Sequence, residues 1–323
     1  MEKARPVSLK EIRIRDNFWD KYRRLVREEI LKYQWCAMND QIEGAPKSHC
    51  IENFRIAAGE KQGEFYGAVF QDSDVAKWLE AVAYTLAEKP DKELKKLADS
   101  VIELIGRAQE PDGYFNTYFI LKEPGQRFRN LREGHELYTL GHMIEAAVAY
   151  KRATGEKRFL EIVQKMADLV ANTFGVEEGK ESYKELAKYF IDVRGCGNRN
   201  YFLEEMKQKD VKRIFPELND YRPEYSQSHL PVRKQRTAEG HAVRAVYMYA
   251  AMADIAAEYD DEELLGACET LWNNMVHRRM YVTVGIGSSG ILERFTADYD
   301  LPNDYNYCES CASIGLAFFA RRM

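Results

Sequence analysis

The chain has 323 residues, a formal net charge of -5 and a hydrophobic fraction of 45%. That is enough apolar material for a sizeable core, and the acidic balance gives no electrostatic case for nucleic acid or an anionic membrane. No apolar run of about 18 residues occurs, and the opening MEKARPVSLKEIRIRDNFW lacks an apolar signal core, so the sequence predicts a soluble, cytoplasmic protein.

In chain order, Phe18, Tyr22, Leu25, Ile30 and Tyr33 recur at helical spacing and predict an amphipathic helix over 17–35. Gly44 and Pro46 break the following link, and 51–58 is a short helix. Asp72 or Ser73 is placed to cap a helix that runs to about 87 and ends before Pro90. Another helix is predicted over 92–109, with Leu94, Leu97, Val101, Leu104 and Ile105 on one face. Pro111-Asp112-Gly113 is a turn, and the Gln-x-x-Asp-Gly-Tyr around it resembles a loop that recurs in α/α-barrel carbohydrate enzymes; aromatic packing is its plain alternative. Helices follow at 136–153, 157–174, 181–191 and 199–209. The Pro-rich stretch 210–237 reads as irregular. A helical pair spans 239–259 and 261–276, and a last pattern runs from 308 to 323. Tyr84/Leu94, Tyr150/Leu160 and Asp254/Leu264 keep one separation across short polar links, a weak repeat that predicts stacked helical hairpins. Strand signals are confined to YVTV at 281–284 and IRI at 12–14.

The chemistry concentrates in YVTVGIGSSGILERFTADYDLPNDYNYCESC, residues 281–311. This stretch is long and aperiodic, lies between two helical patterns, and has glycines at 285, 287 and 290 that allow a bend or a close approach. It carries Glu293, the acids Asp298, Asp300 and Asp304, and Cys308-Glu309-Ser310-Cys311. A solvated acidic loop between core helices would also read this way.

The order GIGS, Glu, DYDLPND, then Tyr-x-Glu-x-Cys-Ala resembles glycoside hydrolase family 127, the β-L-arabinofuranosidases, and the likeness covers nearly the whole chain. The resemblance implies an (α/α)6 barrel followed by β-sandwich domains, a cysteine nucleophile, and a zinc ion held by one Glu and three Cys. Glu293 takes the place of the general acid/base, and its neighbours Ile291, Leu292 and Phe295 are expected to desolvate it and raise its pKa. Glu309 and Cys311 take the places of the first two zinc ligands, with Cys308 a small buried residue beside them. His135, in REGHELY, and His241, in AEGHAVR, take the places of histidines that hydrogen-bond the furanose hydroxyls; without the resemblance each is a cap or packing residue. Asp72 and Asp74 either shape the pocket or cap a helix, and no role falls to His49, His142, His229 or His277.

Two departures qualify the likeness. The family's Gly-His-Pro-Glu-Ile-Glu helix start is missing where Lys180 runs into ESYKELAKYFID. The cysteine pair that includes the nucleophile and the other zinc donors lies further along the family's chain than residue 323. The expectation is therefore an all-α, incomplete (α/α)6 barrel, about ten helices of twelve, with 1–323 as one catalytic domain lacking its last helix and the β-sandwiches. The expected ligand is a terminal L-arabinofuranoside of a plant-derived glycan, with zinc as cofactor, no nucleic-acid or membrane partner, and self-association through the open barrel edge. A carbohydrate-binding remnant without turnover and a helical interaction scaffold stand as alternatives. An uronide hydrolase or epimerase on the same scaffold is weaker, because it leaves Glu309-Ser310-Cys311 unexplained.

Overall fold

The computed structural model describes residues 7, 8, 10–175, 182–197 and 200–323. Helix is the one regular secondary structure among them: no strand forms, and pairing of that kind is limited to three isolated bridges in unit 2. The chain divides into two compact units, Met1–Lys180 and Glu181–Met323.

Unit 1 begins with α1 (Asn17–Leu25), capped by the Asp16 carboxylate, which accepts from the Phe18 and Trp19 amides. A π turn over 26–30 leads into α2 (Leu31–Met38). The single predicted helix is thus continuous in direction but interrupted in winding. Its aromatic stripe does not enter the core: Phe18, Tyr22, Leu25, Ile30 and Tyr33 are all exposed, and Leu31 and Met38 are buried instead. Then follow α3 (Cys50–Ala57), α4 (Asp72–Glu88), α5 (Lys92–Ala108), α6 (Thr117–Leu121), α7 (Glu136–Thr154) and α8 (Arg158–Thr173). The pairs α4/α5 and α7/α8 are the predicted hairpins, and α4 packs extensively on α7. Asp91 caps α5, and Gly155 ends α7 in the left-handed region, as the sequence patterns require. Ala98, Val101, Ile102, Leu104 and Ile105 of α5 are buried on one face.

Asp72 does not cap α4. It is fully buried and accepts from the Thr117 amide at 2.7 Å and the Thr117 hydroxyl at 2.6 Å, so it ties α4 to α6. Burial still pushes its carboxyl up to about 7, against the pull of the Thr117 bonds. The Pro-Asp-Gly turn is also structural. Tyr114 and Phe115 are fully buried, and Gln109 Nε2 bridges the carbonyls of Gly113 and Ile162. Gly113 sits at φ 96°, where a Cβ would meet the Lys165 backbone at 2.7 Å.

Unit 2 holds α9 (Tyr183–Val193), α10 (Tyr201–Lys207), three short 3-10 turns in the Pro-rich stretch, α11 (Ala242–Tyr259), α12 (Glu262–Arg278) and α13 (Ser310–Arg322). A capping box starts α9: Ser182 and Glu185 each bond the other's backbone amide. The core forms where α11 meets α12 and α13, through Val246, Tyr249, Ala253, Leu271, Met275, Leu316 and Phe319. The α11–α13 approach is close, since a Cβ on Gly315 would lie 2.4 Å from Val246. YVTV is not a strand. Tyr281 N bonds Gly285 O and Val284 N bonds Tyr281 O, a turn that points the apolar side chains of Val282 and Val284 outward. The expected deletion, where Lys180 runs into Glu181, falls within 176–181, outside the described residues.

Candidate active site

Residues 279–309 of unit 2 fold into a loop held at both ends. At its start Asp298 accepts from Arg279 Nε at 2.7 Å, Asn274 Nδ2 at 3.0 Å and Arg278 at 3.0 Å. Burial opposes its ionisation, but the bonds from Arg279, Asn274 and Arg278 win and hold the carboxyl below the ordinary range. Asp298 is therefore an anchor for the loop. Further along, Ser289 and Arg294 exchange both backbone bonds and close a tight turn around Gly290–Glu293. Leu292 (φ 59°) and Glu293 (φ 51°) occupy the left-handed region, a conformation that costs non-glycine residues energy and recurs at functional sites. The Phe295 amide bonds Gly240 O at 2.9 Å, which pins this turn to the start of α11.

That attachment brings Glu293 to His241. His241 is the N-cap of α11, and its Nδ1 faces the Arg244 amide at 3.5 Å. The tautomer that satisfies this contact carries its proton on Nε2, which lies 2.9 Å from Glu293 Oε2. From the opposite side the Tyr307 hydroxyl donates to Glu293 Oε1 at 2.9 Å. The carboxyl pKa of Glu293 is lowered, by the His241 bond first and by Tyr307 as well, while partial burial works the other way. The expected rise is thus reversed. Ile291 is 73% exposed and offers little desolvation, whereas two donors stabilise the charged form. His241 is itself lowered by burial, so it meets Glu293 as a neutral imidazole.

Glu309 and Cys311 flank the start of α13, Glu309 half-buried and Cys311 exposed. Burial, then the charge of Glu293, pushes the Glu309 carboxyl up. Cys308 is partly rather than fully buried, packed so near Gly285 that a Cβ there would lie 2.7 Å from its own. No disulfide joins any of the six cysteines. A carboxylate and a thiolate suit zinc, but among the described residues no third His, Cys, Asp or Glu joins them at ligand spacing. The donors present do not complete a four-coordinate site. The one grouping of metal-compatible spacing among the described residues is in unit 1: Glu80, His142 and Glu145, with donor atoms within 4.8 Å of one another. His142 there is pushed down to about 4 by burial and by the Lys77 charge, so it is neutral; the set is compatible with a metal of no specified kind.

His135, the other sugar-contact candidate, lies in unit 1. It is the N-cap of α7 at φ 54°, and its Nδ1 donates to the Glu133 carbonyl at 2.6 Å, which gives Nε2 the acceptor role in the neutral ring. Phe70 and Tyr138 contact its ring. Sequence reasoning gives His49 no role, yet it holds the same left-handed N-cap position before α3, 3.2 Å from Asp40 and stacked on Tyr66. It also passes over Tyr307, whose signal is its place two residues before Glu309 in the Tyr-x-Glu-x-Cys motif.

The family model described as the β-L-arabinofuranosidase GH127 catalytic domain matches residues 11–182 and 176–323. A non-reducing end β-L-arabinofuranosidase of Bifidobacterium longum subsp. longum is 41% identical over 351 positions, covering 97% of this chain and 53% of the relative. An alignment longer than the 323-residue chain means that the relative carries residues within the span which are missing here. The crystal structure of a GH127 β-L-arabinofuranosidase from Geobacillus stearothermophilus T6 superposes with a TM-score of 0.92 at 54% identity, over 97% of this chain and 52% of that one. A second GH127 β-arabinofuranosidase structure gives 0.83 at 34% identity, over 98% and 50%. The chain thus spans about half the length of the relatives it matches, and its fold class is the all-α (α/α)6 type of those structures.

Proposed function

Because the chain belongs to the GH127 β-L-arabinofuranosidase catalytic-domain family, we propose that residues 1–323 form the catalytic barrel domain of a glycoside hydrolase. The substrate class is a terminal β-L-arabinofuranosyl residue of a plant-derived glycan. The observation that carries this reading is the Glu293 carboxylate held between His241 and Tyr307 on a strained turn.

In this reading Glu293 is the general acid/base. Protonated, it delivers a proton to the glycosidic oxygen as the bond to the anomeric carbon breaks; ionised, it takes a proton from the water that completes hydrolysis. Its resting state is the ionised one. A sugar seated over the turn excludes water and strengthens desolvation, the contribution that raises its pKa. His241 contacts the sugar hydroxyls from a ring that also holds Glu293, while the sugar-contact role of His135 in unit 1 rests on the family resemblance alone. Glu309 and Cys311 are two donors of a zinc site whose remaining donors, like the nucleophile, are assigned to no residue of this chain. When bound, zinc supplies a positive centre that keeps coordinated thiols ionised. No helix among the described residues is long and apolar enough to cross a membrane. In this reading the protein works in the cytoplasm and self-associates through apolar surface such as the α1–α2 stripe.

The test is release of p-nitrophenol from a β-L-arabinofuranoside by the chain and by Glu293→Ala, beside calorimetric titration with L-arabinose. Release that collapses in the variant supports the proposal. Binding without release selects the carbohydrate-binding remnant, which the incomplete donor set at Glu309 and Cys311 favours. Neither binding nor release removes both.

A further inference from the structure

The glycines of the GIGSSG segment permit a close approach, and the structure identifies what approaches. A Cβ on Gly287 (φ 91°) would lie 3.2 Å from Tyr307 O, and the Tyr307 amide donates to Gly287 O at 3.2 Å. A Cβ on Gly290 would rest 3.5 Å from the Tyr307 ring. The segment therefore forms a seat for Tyr307. From that seat the hydroxyl reaches across to Glu293, fourteen residues earlier in the chain.

Resting on the reading of Glu293 as acid/base, we propose that Tyr307 is a positioning residue for that carboxylate. Its hydroxyl holds Oε1 while His241 Nε2 holds Oε2, so the carboxylate has donors on both sides and one orientation. Two independent elements supply these donors: the segment before α13 and the N-terminus of α11. Each carboxylate oxygen accepts two hydrogen bonds, so the clamp leaves a second lone pair on each for the proton that moves in catalysis. The clamp is needed because Glu293 stands on a two-residue left-handed turn with its side chain 41% exposed, where packing alone does not fix its rotamer. Beside the His241 bond, the Arg244 charge of α11 acts on Glu293, and the Glu293 charge acts in turn on Glu309, Tyr225 and Tyr307. Among them His241 and Tyr307 donate to its oxygens. Tyr307 acts through Glu293 and touches no bond that is broken.

The test is the Tyr307→Phe variant, which removes one oxygen and keeps the ring in its glycine seat. Crystal structures of parent and variant are compared at Glu293, and kcat and KM are measured on a β-L-arabinofuranoside. The expected result is a Glu293 side chain spread over more than one rotamer, a melting temperature unchanged, and kcat lowered roughly tenfold with KM nearly unchanged, the loss of one hydrogen bond felt at the reacting step. A variant whose Glu293 stays in place overturns the proposal, and so does a disordered Glu293 in an enzyme whose kcat is intact. If the parent itself shows no turnover, the hydrolase reading fails, and the crystal comparison alone decides whether Tyr307 positions Glu293.

Discussion

Each unit of the molecule contains a glutamate held by a tyrosine hydroxyl and an N–H donor, and the two behave in opposite ways. In unit 1, Tyr114 donates to Glu136 Oε1 at 2.5 Å and the Phe128 amide donates to Oε2 at 2.8 Å. In unit 2, Tyr307 and His241 make the same two contacts with Glu293, each at 2.9 Å. Glu136 is 2% exposed, and burial pushes its carboxyl up to about 7. Glu293 keeps access to water, and its carboxyl is pulled down by the His241 bond. The hydrogen bonds are alike; hydration decides the sign. Glu136 is thus sealed within the fold, whereas Glu293 stays accessible on its strained turn.

The sharpest way to break this contrast is to remove the accessible carboxylate. Glu293→Ala is expected to cost roughly 10²- to 10⁴-fold in kcat/KM, the usual worth of a general acid/base, with little change in denaturant midpoint. The tyrosines should divide the other way. Tyr114→Phe leaves a buried carboxyl short of a donor and is expected to lower stability by about 1–3 kcal/mol in urea titration. Tyr307→Phe, at a hydrated site, should stay within about 0.5 kcal/mol.

The pH dependence sharpens the same comparison. The folded pKa of Glu136 lies above its unfolded value, so the folded state binds that proton more tightly. Its contribution is fully present below about pH 4 and is lost as pH rises through about 7, at up to about 1.4 kcal/mol per pH unit. Asp72, also pushed up to about 7, acts with the same sign. Urea midpoints from pH 4 to 8 should fall less steeply in Glu136→Gln. Asp72→Asn should flatten them as well, because the titrating carboxyl is gone while the amide can still bond Thr117. Glu293 is lowered, so its contribution runs the other way and fades only on acidification. The smallest effect is expected from Gly290→Ala, whose φ of -68° suits alanine and whose Cβ makes ordinary contact with Tyr307. A stability change within about 0.5 kcal/mol is expected. Gly285→Ala should cost more, since its Cβ would collide with Cys308.

Much of this is legible in the sequence where the signal is local. Helices α5, α7, α8, α11 and α12 follow their apolar periodicity and end near the predicted residues. The hairpin repeat matches the α4/α5, α7/α8 and α11/α12 pairs. What fails depends on partners distant in the chain. The stripe from Phe18 to Tyr33 has helical spacing but no described surface covers it. YVTV has strand-forming residues, but it lies in a turn closed by the Tyr281–Gly285 bond and has no pairing strand. The apolar neighbours of Glu293 predict a raised pKa, while its determinants are His241 and Tyr307, which adjacency in sequence does not reveal. Asp72 reads as a helix cap because local spacing allows it, and Thr117, from another helix, takes it instead.

The most direct measurement is a carboxylate titration by ¹³C NMR that follows Glu136 and Glu293 in the same chelator-treated sample. The expected result is two separated midpoints, Glu293 below the ordinary glutamate value and Glu136 near 7. Equal midpoints, or Glu293 titrating above Glu136, would contradict the assignment of one glutamate to structure and the other to chemistry.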